Sequence, residues 1–569
     1  MIAFEGTGFD VVLVSGEPYA DHPLSPAGVI ARVLDAEGHK VGVVEAPDWR
    51  KPNDFLKLGR PRLFFGVTSG SIDSMLVNYT ALKRERARDP NAPRASRLPD
   101  RAVLVYANRI REFHRGAPIV LGGIEASLRR FAHYDYWDDT VRRSILLDTR
   151  ADILVYGPGE IQAVEIARRL DRGEGLGGIP GTCVVAKDPP PEAEVVPSFE
   201  EVSGDGDKFC EAQSRLSNRS LLAQGHANQY VVQYPAPDTT TADLDRVYGL
   251  PFSRTIPPGF RELEMARFSV QTHRGCFGRC SFCALSLHQG DRIVSRSEAS
   301  ILEEIRRLTE HPDFKGIVDD LGGPTANMYA FDRPRKGDLE ALVPGEETPG
   351  EESRPPAVSR SRVRAAHEAL IELMKKARGV PGVRKVFVRS GIRYDLALES
   401  PEYVGELVRH HVSGLLKIAP EHVSESVLRL MNKRGGKREL ESFRRLFSGA
   451  DREEGGDTGT GRKSRLPGRA ARRQHLKYYF MVAHPGTSEK EAGELASFIK
   501  RLEKAGEKPV EGVQIFTPTP MTRSTCMYHT GKDPVTGESV YVPRSYAEKK
   551  AQRRMLGGAG KTGPGRRGR

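Results

Sequence analysis

Short apolar runs alternate with helix-spaced apolar positions along the first third of the chain. Phe9-Asp-Val-Val-Leu-Val14 is a β-rich run that stops at Ser15-Gly16. Val29, Ile30, Val33 and Leu34 then recur at helical spacing before Gly38, and Lys40-Val-Gly-Val-Val44 is extended again. The pattern returns at Leu63–Val67, Pro118–Leu121 and Ile153–Tyr156. Strands alternating with helices in this way predict right-handed crossovers and a parallel sheet covered on both faces. Ligands of such sheets lie beyond the carboxyl ends of the strands, where the sequence places Ser15–His22, Thr68–Ser71, Gly122–Glu125 and Gly157–Glu160. Turn geometry alone also accounts for the glycines there.

A second series begins at the extended stretch Phe268, Val270, Thr272 and continues through strand-like runs at 316–319, 385–389, 415–418, 476–482 and 513–516. Each but the last is followed by a helical pattern. Ser300-Ile-Leu-Glu303 has the form of a capping box, with Ile301, Leu302, Ile305 and Leu308 on one face. Six strands rather than eight predict a partial, open barrel, with polar clusters again at the carboxyl ends. The expected fold class is therefore α/β: an N-terminal flavodoxin-like parallel sheet over 1–188, a linker and bridging segment over 189–260, and a partial (β/α)6 TIM-type barrel over 261–535. Disordered inserts are expected at about 331–362 and 451–470, and a basic disordered tail over 536–569.

Composition adds bounds. A chain of 569 residues holds two or three domains. With 38% apolar residues and a mean hydropathy of -0.47, and with no apolar run near the roughly 18 residues of a membrane span, no membrane association is expected. The first residues carry neither a basic nor an apolar leader pattern, and three of the six cysteines crowd into one loop, so a reducing, cytoplasmic location is expected. The net charge of +12 is largely local: residues 544–569 hold nine Lys/Arg against one Glu. That tail offers a contact for nucleic acid, but a solvated terminus is the better explanation of it.

The crowded loop is His273-Arg-Gly-Cys276-Phe-Gly-Arg-Cys280-Ser-Phe-Cys283. It leaves a strand and presents three thiols within eight residues, with Gly275 and Gly278 permitting close backbone approach. Three thiolates so spaced suit three irons of a 4Fe-4S cube and leave the fourth iron open. Two other uses of the thiols remain: a structural zinc site completed by His273 or His288, and a fully ligated cluster completed by Cys183, Cys210 or Cys526.

Cys-x3-Cys-x-aromatic-Cys, with Phe282 at the aromatic position, resembles the signature of radical S-adenosylmethionine enzymes. Together with Asp319-Asp-Leu-Gly-Gly-Pro-Thr-Ala-Asn-Met-Tyr329, Ser390-Gly-Ile-Arg-Tyr-Asp395, Leu416-Lys-Ile-Ala-Pro-Glu-His422, Ala483-His-Pro-Gly-Thr487 and Tyr528-His-Thr-Gly531, it resembles the YgiQ family over roughly 9–550. The resemblance implies one 4Fe-4S cluster on Cys276, Cys280 and Cys283, bound S-adenosylmethionine, an electron donor of flavodoxin or ferredoxin type, and a substrate not specified by the family. Gly322 and Gly323 are similar to the glycine motif that meets the methionyl amino group, although Pro324 stands where an acidic residue is usual. Ser390, Arg393 and Lys417 are candidate cofactor contacts, and Glu421 and His422 candidate proton-transfer groups. Rim salt bridges and a helix start explain these same residues. The competing reading is an RNA-binding module with a structural metal and no catalytic activity.

Two departures qualify the resemblance. The N-terminal sheet is similar to the cobalamin-binding domain of many radical enzymes, but Asp21 and His22 are adjacent where that domain has Asp-x-His-x-x-Gly, so cobalamin is not expected. The extra cysteines that relatives carry after the Gly-Gly-Pro-Thr motif are absent between Phe331 and Arg362.

Overall fold

The computed structural model describes residues 1–87, 98–333, 358–454, 474–507 and 510–556. The chain divides into two units: Met1–Phe268 with Phe282–Ser300 and Pro518–Gly537, and Ser269–Ser281 with Ile301–Thr517 and Glu538–Arg569.

The first unit is built on a ten-stranded sheet. Its strands are β1 (Ile2–Ala3), β2 (Val11–Ser15), β3 (Val41–Glu45), β4 (Phe64–Thr68), β5 (Ile119–Leu121), β6 (Ile153–Val155), β7 (Thr182–Ala186), β8 (Glu194–Val196), β9 (Leu222–His226) and β10 (Gln229–Gln233), in the order β1-β3-β2-β4-β5-β6-β7-β10-β9-β8. From β1 to β6 every pairing is parallel. Strand alternation sorts the core onto two faces: Val12, Val14, Phe65, Val67 and Leu121 pack on one, Val11, Leu13, Phe64, Val120 and Ile153 on the other.

The expected linker over 189–260 is corrected. Residues 194–196, 222–226 and 229–233 are strands β8, β9 and β10, which extend the sheet beyond antiparallel β7. Buried polar groups disguised them. Gln224 accepts from Ala132 N at 2.7 Å and donates to Pro197 O, while Gln233 accepts from Arg130 Nε at 2.7 Å and donates to Ser217 O and Ser220 O. Two glutamines at core positions erase the alternation a strand normally shows.

Behind the carboxyl ends of β4 and β5 lies a buried charge cluster. Arg129 is ion-paired with Asp73, both almost fully buried. Glu125 accepts from Ser74 N at 2.8 Å and Val103 N at 2.9 Å, tying together the starts of the helices Ser74–Asn78 and Ala102–Phe113.

The second unit contains parallel pairings. They are β11 (Val270–Gln271) with β13 (Leu321–Gly322), β12 (Ile317–Val318) with β14 (Lys385–Val386), β15 (Leu415–Glu421) with β16 (His475–Val482), and β16 with β17 (Val510–Ile515). An isolated parallel bridge joins Ile392 to Ile418. Leu476, Tyr478 and Phe480 are buried on one face of β16, where Phe480 meets Phe498 of the helix Glu489–Lys504 at 6.3 Å. The helix expected to open at Ser300 starts earlier, spanning Glu298–Thr309, with the Ser297 hydroxyl accepting from Ser300 N.

The basic, disordered tail is corrected over its first half. Tyr546–Met555 is a helix capped by Ser545, and its Lys549 and Gln552 are fully buried. The Gln552 amide accepts from Ala483 N at 2.9 Å and donates to Thr487 O at 2.7 Å, which fixes the loop after β16. Charged residues on the remaining faces hid this anchoring. The rest of the tail (557–569) and most of the two expected inserts (334–357 and 455–473) lie outside the described residues. Among the described residues no helix is long and apolar enough to cross a membrane.

Buried histidines give the fold an acid limit. Burial holds His22, His273 and His484 down to about 3, and His133, His226, His367 and His422 down to about 4. Each is neutral when folded but titrates at its ordinary value when unfolded, so below roughly pH 6.5 the unfolded chain binds more protons and stability falls with pH. Each contributes up to about 1.4 kcal/mol per pH unit through that window. The Tm should therefore drop steeply between pH 7 and pH 5, and a flat profile by circular dichroism would contradict these neutral burials.

Candidate cofactor site

The site is built where β11 ends. After Thr272, whose N–H donates to Gly322 O at 2.7 Å, the chain turns through Gly275 at φ +82° into the loop that carries Cys276 and Cys280. The loop is held from the helix Glu425–Leu430 and its end: Ser281 N donates to Met431 O at 2.9 Å, and Asn432 Nδ2 donates to Arg279 O at 2.9 Å. Arg279 itself is left-handed, at φ +42°.

Gly278 sits in the concave side of this loop. A Cβ placed there would come within 2.8 Å of Arg393 Nη1, 3.3 Å of Cys276 Sγ and 3.8 Å of Cys280 Sγ. The two thiols and the guanidinium thus line one cradle that a side chain would fill. Burial pushes the Cys276 thiol up, while the Gly278 N–H, Arg393 and the Thr325 hydroxyl, 3.9 Å from Sγ, pull it back. Arg393 is buried, paired with Asp395 at 2.7 Å, and held above its ordinary range by Asp395 and both thiols. Cys283 follows on the same loop and is half-buried. Among the described residues no group of three or more His, Cys, Asp or Glu side chains is arranged to hold a single metal ion.

The other residues singled out from sequence have distinct environments. A Cβ on Gly323 would lie 2.5 Å from the His273 ring, and one on Gly322 would lie 2.6 Å from Ser390 Oγ, so both glycines are required by close packing. Ser390 donates its hydroxyl to Asp320, whose carboxylate also accepts from Arg389 N at 2.7 Å and Ser390 N at 3.1 Å. Asn327 and Arg393 bond reciprocally: Asn327 Nδ2 donates to Arg393 O at 3.0 Å and Arg393 N to Asn327 Oδ1 at 2.9 Å. Asp320, Thr325 and Asn327 were not picked out individually from sequence; the only signal was the unusual word that contains them.

Lys417 is half-buried and stands in register beside Lys477 on β16. At the end of β15, Glu421 takes φ +65°, a conformation costly for a side chain with a Cβ, and burial raises its carboxyl. His422 is buried beside it, with Nδ1 accepting from Ser424 N at 3.1 Å. His484 follows left-handed Ala483 at φ +59°, and burial together with the nearby His422 holds it neutral.

The other candidate ligands are committed elsewhere. Cys183 is buried in β7, and Cys210 faces Cys526 at 3.5 Å. His288 Nδ1 meets Ser127 Oγ at 3.0 Å. In the first unit His22 Nε2 lies 2.9 Å from Arg267 O and 3.1 Å from Arg254 Nη1, while Nδ1 accepts from Leu24 N. Asp21 is ion-paired with Arg32.

Comparison with known proteins adds to this geometry. A family profile described as Radical SAM N-terminal matches residues 3–270, and a domain of unknown function, DUF3362, matches 511–557. A UPF0313 protein of Methanosarcina acetivorans is 42% identical over 96% of this chain and 76% of its own. Another, from Geobacter sulfurreducens, is 44% identical over 96% of this chain and 89% of its own. Among solved structures, the radical S-adenosylmethionine methyltransferase TsrM from Kitasatospora setae, with cobalamin and a [4Fe-4S] cluster bound, aligns with a TM-score of 0.50 at 16% identity, covering 91% of this chain and 74% of TsrM. The α/β fold with its large parallel sheet is thus similar to that of a cobalamin-carrying radical enzyme. This overturns the expectation against cobalamin: that expectation rested on one missing motif around His22, and a cobalamin-bound protein shares the fold.

Proposed function

The chain belongs to the UPF0313 (YgiQ) family, and from that premise we propose that it is a radical S-adenosylmethionine enzyme whose Cys276, Cys280 and Cys283 hold a [4Fe-4S] cluster. The observation that carries this reading is the cradle at Gly278, which is lined by two thiols and a buried guanidinium and would be blocked by any side chain. Bound there together with S-adenosylmethionine, the cluster would supply the electron for reductive cleavage of the sulfonium.

The chain's own residues have separable tasks. The Gly278 N–H and the Thr325 hydroxyl donate toward the Cys276 sulfur and favour the thiolate that metal binding requires. Arg393, fixed by Asp395 and Asn327, sets a positive charge against the thiolates. Gly322, Gly323, Ser390 and Lys417 line the carboxyl-end and strand positions assigned to S-adenosylmethionine. Glu421, whose carboxyl burial raises, and His422 are the candidate proton-transfer groups at the end of β15. The strand order β3-β2-β4-β5-β6, with the first strand second from the edge of the five, is read as flavodoxin-like, and the parallel pairings of the second unit as a partial barrel. A soluble electron donor and a cytoplasmic setting go with this reading.

The test is anaerobic reconstitution with iron and sulfide, followed by reductant and S-adenosylmethionine, with and without cobalamin. About four irons per chain and formation of 5′-deoxyadenosine are expected. Stoichiometric zinc without iron, or no cleavage by iron-loaded protein under any reductant, would overturn the proposal.

A further inference from the structure

The first unit contains a second pair of thiols outside the cofactor loop. Cys210 lies on the helix Gly206–Arg215 and Cys526 on the helix Arg523–Thr530, and their sulfurs are 3.5 Å apart without a bond between them. The two helices pack closely: His529 meets Phe209 edge-on at 5.0 Å, and Gln213 Nε2 donates to Met521 O at 2.8 Å. Cys526 is fully buried, whereas Cys210 is only half-buried and borders solvent. One sulfur can therefore be reached by a small reagent and the other cannot.

The surroundings divide the roles of the two thiols. The facing Cys526 foremost, and then the Thr530 side chain, bring Cys210 down to about 7; in its thiol form the Cys210 S–H donates to the Thr530 hydroxyl at 3.4 Å. Asp207 opposes this and Lys532 supports it, and these two are ion-paired with each other. Burial and the facing Cys210 push Cys526 well up, with Asp533 adding to the rise. Cys210 is the nucleophile of the pair and Cys526 the thiol in reserve.

We propose that Cys210 and Cys526 are a peroxide-responsive dithiol, in which Cys210 reacts with a hydroperoxide and Cys526 resolves the product to a disulfide. The Cys210 thiolate attacks the O–O bond, which breaks to release an alcohol or water and leaves a sulfenic acid on Cys210. The Cys526 thiol then attacks that sulfur, the S–S bond forms, and the second oxygen departs as water. In sum, two thiols and one hydroperoxide give one disulfide, one alcohol or water, and one water. A disulfide bond of about 2.05 Å requires the sulfurs to close by roughly 1.5 Å, within reach of a side-chain rotation or a small helix shift. The bond would staple a helix in the region matched by DUF3362 to one in the region matched by the radical enzyme profile.

The experiment uses full-length protein kept anaerobic, treated with hydrogen peroxide, alkylated with iodoacetamide and mapped by mass spectrometry. The expected product is a cross-linked peptide pair containing Cys210 and Cys526. Cys526→Ser should stop at a sulfenic acid on Cys210 that dimedone traps, and Cys210→Ser should leave Cys526 unreacted. Before oxidation, alkylation of Cys210 should titrate near pH 7, and Cys526→Ala should move that midpoint up and slow alkylation at pH 7 by about tenfold or more. A variant with Cys276, Cys280 and Cys283 all replaced by Ala should form the same cross-link, which separates this result from the fate of the iron. If both thiols remain alkylatable after peroxide, or if Cys210 pairs with a different cysteine or over-oxidises in the unmutated protein, the proposal fails.

Discussion

Replacing Cys276 or Cys280 with alanine should reduce 5′-deoxyadenosine formation by the reconstituted protein by more than about 100-fold, the upper end of what loss of a residue merely supporting a metal ligand costs. The loss should appear first as iron: each variant should retain substantially less than the roughly four irons expected of the parent. A Cβ at Gly278 would lie 3.3 Å from one sulfur and 3.8 Å from the other, so the two thiols border the same cradle and the loss of either should be felt there. A variant that binds iron and cleaves S-adenosylmethionine at the parent rate would remove its cysteine from the site. Arg393→Lys is a useful contrast. It keeps the charge but loses the planar fork that engages Asp395, so activity should fall less than in the cysteine variants.

The largest effect on stability is expected in the other unit, from Asp73→Asn. Asp73 caps the helix Ser74–Asn78 by accepting from Met75 N at 2.9 Å, and an asparagine in its place still supplies a capping oxygen, so the substitution isolates the charge. It leaves the guanidinium of Arg129 buried without its ion-pair partner. Breaking such a pair from one side costs about 3–5 kcal/mol, a fifth or more of the roughly 5–15 kcal/mol that holds a domain folded. Chemical denaturation should show this, and the double variant Asp73→Asn/Arg129→Met should recover much of it, because burying neither charge removes the desolvation cost. A single variant as stable as the parent would mean that Glu125 alone neutralises Arg129.

The strands flanked by glycine and carrying unbroken apolar runs were legible in the sequence. Val11–Ser15, Val41–Glu45, Phe64–Thr68, Ile119–Leu121 and Ile153–Val155 lie where their hydrophobic pattern puts them, because strands buried on both faces have no polar alternation to confuse the reading. The strands past β7 were hidden by Gln224 and Gln233, whose burial is satisfied by partners far away in sequence. The helix Tyr546–Met555 was hidden for a related reason: Lys549 and Gln552 face inward, and composition alone assigned their charge and polarity to solvent. In the candidate site the cysteines and glycines were visible as a spaced word. The supporting roles of Asp320, Asn327 and Thr325 depend on contacts made across 49 to 70 residues, which no local pattern encodes.

The split composition of the first unit has a bearing on synthesis. Residues 518–537 belong to it, and the ring of Tyr134 stacks on His529 at 4.4 Å. A ribosome adding about 5–20 residues per second needs roughly half a minute to two minutes to make a chain of this length. The nascent sheet therefore waits for its last helix until almost the whole polypeptide has emerged, with the aromatic surface around Tyr134 and Phe209 uncovered meanwhile. Chains released early by a stop codon before residue 518 would keep that surface bare, and the cell's chaperones and proteases would recognise them as unfinished.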